Sequence, residues 1–172
     1  MDKQFLKIID NIKRSRKEHG GAIGVYRFTL ENPDGSKEIK IYHNVLTIDF
    51  FTMIMDNLTN PTPTNDMLFS HALLGSSATA VSENDHKLGT ETYRNAIASK
   101  TKVANVAYVT AFFTQAEVSG TFKESGIVSD GSDWAGGAGK DTGILASHVN
   151  IDVTKTLAQK LTIDWALTLV NA

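Results

Sequence analysis

The segment QKLTIDWALTLV, residues 159–170, has the clearest structural pattern in the chain. Its apolar side chains alternate with polar ones, so that one face carries Leu161, Ile163, Trp165, Leu167 and Leu169, and the other carries Lys160, Thr162, Asp164 and Thr168. A period of two is typical of a β-strand with one face against a core. We therefore expect this segment to be a strand that buries one side.

Similar patterns recur along the chain and predict about seven strands. The candidate strands are residues 22–30, 37–45, 67–75, 103–114, 120–130, 142–153 and 159–170. The first two are joined by Asn32-Pro33-Asp34-Gly35, a turn signal in which proline presets φ and glycine tolerates positive φ. Short connections without regularly alternating helices favour an antiparallel β-sandwich. The expected fold class is therefore mainly β, with an N-terminal helix and one inserted helix.

The N-terminal segment has the helical rather than the strand period. Phe5 and Ile9 belong to a narrow apolar stripe, and the double glycine at 20–21 ends the pattern. So short an amphipathic helix is marginal alone, so it must pack on its own domain or on a neighbouring chain. We interpret residues 1–21 as a docking segment, with Phe5 and Ile9 as candidate interaction residues, and residues 22–172 as the β-sandwich domain.

The inserted helix is predicted at about residues 46–58. Its main apolar stripe consists of Leu46, Phe50, Ile54 and Leu58, broadened by Phe51, Met53 and Met55. Thr47 or Asp49 is suited to cap its start. Pro61 and Pro63 follow and prevent the helix from continuing.

Composition narrows the functional classes. At 172 residues, with 41% hydrophobic and 21% charged residues, the chain has the size and composition of one globular domain. A net charge of −2 indicates neither nucleic acid nor an anionic membrane as partner. The absence of cysteine excludes disulfides, thiol nucleophiles and cysteine metal sites. No apolar stretch approaches the ~20 residues of a membrane helix, so we expect folding in a cytoplasm.

Motifs for catalysis or cofactor binding are weak. The five histidines lack the close spacing of a local zinc pair, and no serine lies in a G-x-S-x-G elbow. WAGGAGKDTG, residues 134–143, lacks the Gly-Lys-Ser/Thr of a phosphate loop. Glu91, Glu117 and Glu124 cannot be placed as an acid–base pair from sequence alone. We therefore expect no catalytic residue, cofactor or resident metal.

The loop at 129–143 leaves two alternatives open. Asp130, Asp133 and Asp141 lie among glycines and could hold calcium, although aspartate and glycine also serve ordinary turn chemistry. Trp134 on the same loop either anchors an interface or folds back over the end of the sandwich.

Four segments share an order and spacing with a known class of protein. ALLGSSATAVSENDHKLGTETYR, residues 72–94, has an apolar strand ending at Gly75, then a loop with Thr79 and Asp85, then L-G-x-E-x-x-R, which places Leu88, Gly89, Glu91 and Arg94. FKESGIVS, GILASHVNIDVTKT and LTIDWALTL follow in order, from residue 122 to residue 169. Together they resemble small β-sandwich structural proteins of tailed bacteriophage virions.

The resemblance implies a non-enzymatic component of the tail, baseplate or fibre region, located in the virion after assembly in the host cytoplasm. Its partners would be other virion proteins and copies of itself, with no nucleic acid and no membrane. Glu91 and Arg94 are expected to pair, or to bond backbone groups, and so to fix a connection across the sandwich. The family usually carries an arginine where Ser147 or His148 stands here, and the insertion at 130–143 is longer than usual.

Alternative functions stay open at this stage. A capsid decoration protein is a variant of the same class. A carbohydrate- or receptor-binding β-sandwich would place His86, Asp133 and Trp134 around a host-surface glycan.

Overall fold

The computed structural model describes residues 5, 7–10 and 21–170, and these contain nine antiparallel strands, one complete α-helix and part of a second. The strands are β1 (Gly21–Glu31), β2 (Lys37–His43), β3 (Val45–Leu46), β4 (Phe69–Gly75), β5 (Glu91–Val103), β6 (Val106–Phe113), β7 (Gly120–Ser129), β8 (Ile144–Lys155) and β9 (Lys160–Val170). The complete helix, α1, covers Ile48–Thr59, and a 3₁₀ turn covers Ala135–Gly137. Among these described residues, no helix is long and apolar enough to cross a membrane.

The strands form one continuous sheet in the order β2-β1-β9-β6-β5-β4-β7-β8-β3. The long strand β5 links its two halves, because its first part pairs with β4 and its second part pairs with β6. The two ends of the sheet also meet. The Lys40 Nζ donates to the Asp152 carbonyl at 2.8 Å, and the Tyr42 hydroxyl accepts from the Asp152 N–H at 3.1 Å. The sheet is therefore nearly closed and barrel-like.

The mainly β, antiparallel class predicted from the sequence is confirmed. The architecture differs from the prediction in strand number and closure, with nine strands instead of about seven and one curved sheet instead of two separate layers. The two additional strands are β3, which has only two residues, and β5. β5 escaped detection because its second half is exposed and lacks an apolar alternation.

The core fills the inside of the curved sheet. β9 contributes Leu161, Ile163, Trp165 and Leu167, all on the face that its alternation predicted, whereas Leu169 is exposed. The Trp165 ring packs edge-on against Phe69 with centroids 5.0 Å apart.

One end of the core is covered by α1. Phe50 and Met53 are its buried residues. Thr47 caps the helix as predicted, and its hydroxyl accepts a hydrogen bond from the Phe50 N–H at 3.3 Å. This cap also bonds the Leu145 carbonyl, which ties the start of α1 to β8.

The N-terminal helical residues pack on the outside of the sheet. Phe5 and Ile9 are buried there in one cluster with Val25, Val106, Tyr108 and Ala166 of β1, β6 and β9. The apolar stripe predicted in this segment is thus covered by the chain's own domain at these two positions. The remainder of the predicted docking segment, residues 1–4, 6 and 11–20, lies outside the described residues.

Candidate functional site

Glu91 and Arg94 form a buried ion pair at the start of β5. The Arg94 Nε donates to Glu91 Oε1 at 2.6 Å, and Nη2 donates to Oε2 at 2.8 Å. Both side chains are 0% exposed, so the pairing expected from their spacing occurs in the interior rather than on the surface. Such a bidentate pair fixes geometry strongly, because neither charge can be left alone once it is buried.

This ion pair holds the Asp- and Gly-rich loop that connects β7 to β8. The third nitrogen of Arg94, Nη1, donates to the carbonyls of Ser132 and Thr142 at 3.2 and 3.1 Å, and to the Thr142 hydroxyl at 2.9 Å. Glu91 Oε2 accepts from the Asp141 N–H at 3.0 Å. The pair therefore fastens a long loop across the outside of the sheet.

A second buried charge centre joins β7, β8 and the loop at 76–90. The His148 Nε2 lies 2.9 Å from Glu124 Oε2, and its Nδ1 lies 2.7 Å from Asp85 Oδ2. The carboxylate of Glu124 also accepts from the backbone N–H groups of Gly89 at 2.9 Å and Thr90 at 2.7 Å. Since both ring nitrogens face carboxylate oxygens, His148 satisfies both only as the doubly protonated cation.

Burial and hydrogen bonding act in opposite directions on this centre. Desolvation pushes the pKa of His148 down, but the bonds to Glu124 and Asp85 outweigh it and hold that pKa above its ordinary value. Desolvation pushes the pKa of Glu124 up, but bonds from His148 and from the loop backbone hold it below its ordinary value. Both groups are therefore stabilised in their charged forms.

The sequence contained a partial signal for this second centre. Glu124 is a lone acidic residue in a strand whose neighbours Phe122 and Ile127 belong to the core, and such a residue requires a partner. The partner could not be identified, because His148 lies 24 residues away and Asp85 lies on the opposite side in sequence. The phage proteins that the four segments resemble usually carry an arginine where Ser147 or His148 stands. In this chain the charged His148 provides the cation at that position.

Exposed apolar side chains are concentrated on α1 and in the segment that follows it. Among the described residues, eleven large apolar side chains are exposed, and six of them lie between residues 48 and 68. They are Ile48, Phe51, Met55, Leu58, Met67 and Leu68. We call these six residues the α1 surface. The first four follow one another at helical spacing, so they form a continuous stripe along the helix.

The inserted helix is present, and its predicted apolar stripe is only partly buried. On that stripe Phe50 is buried, whereas Leu58 is 71% exposed. Met53, which the prediction placed beside the stripe, is the other buried residue of α1. The helix is apolar on more than one side, so its sequence could not define which side packs.

The residues proposed for glycan binding each have a partner within the chain. The Trp134 ring packs on Tyr93 with centroids 5.3 Å apart, so it is folded back and partly buried. Asp133 lies 3.0 Å from the His71 ring, and His86 lies 2.7 Å from Asp49 of α1.

The acidic side chains of the same loop are also separated. Asp133 pairs with His71, whereas Asp141 accepts from the Lys87 ammonium at 3.2 Å. Among the described residues, no three histidine or carboxylate side chains converge on a point that could hold a metal ion. Glu91 and Glu124, considered above as an acid–base pair, bind different partners, Arg94 and His148.

Comparison of the chain with protein-family models, with curated proteins and with solved structures gives no match.

Proposed function

We propose that this chain is a non-enzymatic structural component of a bacteriophage virion, in the tail, baseplate or fibre-attachment region, and that it acts through contacts with other subunits. Its partners are other virion proteins and copies of itself. The observation that carries the proposal is the α1 surface, which gathers six exposed apolar side chains in 21 residues of sequence, from 48 to 68. Four of these side chains form one stripe along α1, and an exposed apolar stripe of this kind is typical of protein interaction sites.

The charge centres support the same function. Glu91 with Arg94, and Glu124 with His148, are used to fasten loops to the sheet. Buried ionic groups of this type favour one defined geometry. A subunit that must match its neighbours repeatedly needs loops held in place, and the four-segment resemblance to tailed-phage structural proteins points to the same class.

A relationship of the fold to the sandwich of the phage proteins is part of the proposal. In it, the two halves of the single sheet, which meet at β5, correspond to the two layers of that sandwich. The nearly closed sheet leaves short edges, so association would use faces and loops rather than strand addition.

The test is to purify particles of the phage or induced prophage that encodes the chain, and to identify their proteins by mass spectrometry. We expect peptides of this chain in intact particles and in the isolated tail fraction. Its absence from particles would refute the proposal. Recovery only in tail-less capsids would favour the decoration role, and glycan-array binding lost on Trp134→Ala would favour the receptor-binding role.

A further inference from the structure

The α1 surface lies in the acidic part of the chain. Between Asn44 and His86 the sequence contains five acidic residues and no lysine or arginine. Asp85 is bound to His148 and Asp49 to His86, so among the described residues Asp56, Asp66 and Glu83 are the acidic side chains of this segment without a histidine, lysine or arginine partner. Glu83 lies beside the stripe, because its carbonyl accepts from the Ile48 N–H at 2.8 Å and because it lines a groove together with Phe51. A second copy of the same surface would therefore be repelled, and a cationic partner would be attracted.

The β5–β6 hairpin has the opposite character. All residues from 98 to 105 are exposed, and they include Lys100 and Lys102. We call residues 98–105 the hairpin arm. The sequence from 92 to 116 contains Arg94 and these two lysines but no aspartate or glutamate. The face of the two lysines also offers apolar area, because the neighbouring Leu169 lies on that face and is 59% exposed.

Both features lie at the same end of the barrel. The hairpin arm adjoins the end of β9, since the Asn105 carbonyl accepts from the Leu169 N–H at 3.1 Å. The last residues of β9 pair with the first of β1, and the first residues of β4 pair with the middle of β5. α1 is attached at this end too, because Phe50 packs on Phe69 at the start of β4.

We propose that the hairpin arm of one copy docks on the α1 surface of a second copy. Lys100 and Lys102 face the acidic margin of α1, and Leu169, which lies on the same face of the sheet as these lysines, packs against the exposed stripe. Because both features lie at one end, a two-fold axis lets each copy donate its arm and receive its partner's arm. The contact is thus doubled in a closed dimer. This proposal rests on the proposed assembly function and specifies one subunit interface through which that function would operate.

The test reverses the charges on either side of the contact and measures the molecular mass of each variant by light scattering after size-exclusion chromatography. One variant carries Lys100→Glu and Lys102→Glu. The other carries Thr52→Lys and Glu83→Lys, which change exposed positions beside the stripe and leave the bonded Asp49 in place. We expect the wild-type chain to be a dimer, each variant to be a monomer, and their equimolar mixture to recover the dimer mass.

The mixture is the decisive arm of the experiment. In a mixed dimer, both contacts join opposite charges, whereas both contacts in either homodimer join like charges. A monomeric wild type, a dimer that survives either double variant, or a mixture that stays monomeric would each overturn the proposal. A recovered assembly larger than a dimer would support the contact and overturn its two-fold reciprocity.

Matched controls separate this contact from general effects. Lys140→Glu removes an exposed lysine elsewhere, and Leu157→Ser removes an exposed leucine in the turn between β8 and β9, where it is 58% exposed. Neither control should change the mass, whereas Met55→Ser with Leu58→Ser should produce the monomer. Circular dichroism of every variant checks folding. A chain that is present in virions but monomeric in solution would refute this contact alone, and a dimer absent from virions would refute the proposed function alone.

Discussion

Replacing Arg94 with methionine tests whether the buried ion pair fixes the loop between β7 and β8. The change removes five hydrogen bonds, two to Glu91 and three to Ser132 and Thr142. It leaves the Glu91 carboxylate fully buried with the Asp141 N–H as its remaining donor. Removing one member of a buried pair costs about 3–5 kcal/mol of unfolding free energy, because the other charge stays behind.

The paired replacement Glu91→Leu with Arg94→Met separates charge from packing. It removes both charges together, and exchange of a buried pair for apolar side chains of similar size is often close to neutral. The three Arg94 hydrogen bonds to the loop are lost in both variants, and the double variant also loses the bond from the Asp141 N–H to Glu91, at about 0.5–1.5 kcal/mol. Because it strands no buried charge, we expect the double variant to be more stable than Arg94→Met by roughly 2–4 kcal/mol.

Urea unfolding monitored by tryptophan fluorescence measures both differences, since Trp165 lies in the core. At a slope of about 2 kcal/mol per molar urea, a loss of about 4 kcal/mol lowers the midpoint by roughly 2 M. The control is Lys37→Met, which breaks the exposed pair with Glu31 and should cost at most about 1 kcal/mol. An Arg94→Met variant as stable as this control, or a double variant less stable than Arg94→Met, would refute the reasoning.

Three further predictions concern neighbouring contacts. The stabilisation by His148 is complete below its unfolded pKa of about 6.5 and is lost as pH rises through its raised folded pKa. The stabilisation by Glu124 is complete above its unfolded pKa of about 4.3 and is lost as pH falls through its lowered folded pKa. The free energy of unfolding should therefore be greatest near pH 5–6, and His148→Gln should flatten its decline on the alkaline side. Gly75→Ala should cost about 1–3 kcal/mol in urea unfolding, because its Cβ would meet the Glu124 carboxylate and lie 2.7 Å from the Thr90 carbonyl; an unchanged midpoint would contradict the close packing. Trp134→Ala should increase the rate of protease cleavage within residues 130–143, because its ring packs on Tyr93 and holds the loop; equal cleavage of both proteins would show that the ring does not hold it.

The sequence by itself determined most of the local structure. The alternation in residues 159–170 predicted β9 and its buried face, and the turn signal at Pro33 and Gly35 predicted the hairpin of β1 and β2. The cap at Thr47 was also predictable. These features depend on residues close together in the chain, whose steric and hydrogen-bonding preferences act before any distant contact forms.

Only the tertiary structure decided the closure of the sheet, the second charge centre and the exposed face of α1. Closure of the sheet depends on the contact between Tyr42 and Asp152, and the second charge centre depends on the contact between His148 and Asp85. Both contacts join residues more than 60 positions apart in sequence. A helix with apolar residues on several sides can bury any of them, so the burial of Phe50 and Met53 and the exposure of Phe51, Met55 and Leu58 were decided by how α1 packs on the sheet. Long-range packing supplies this information, because periodicity describes which side chains share a face and not which face meets the core.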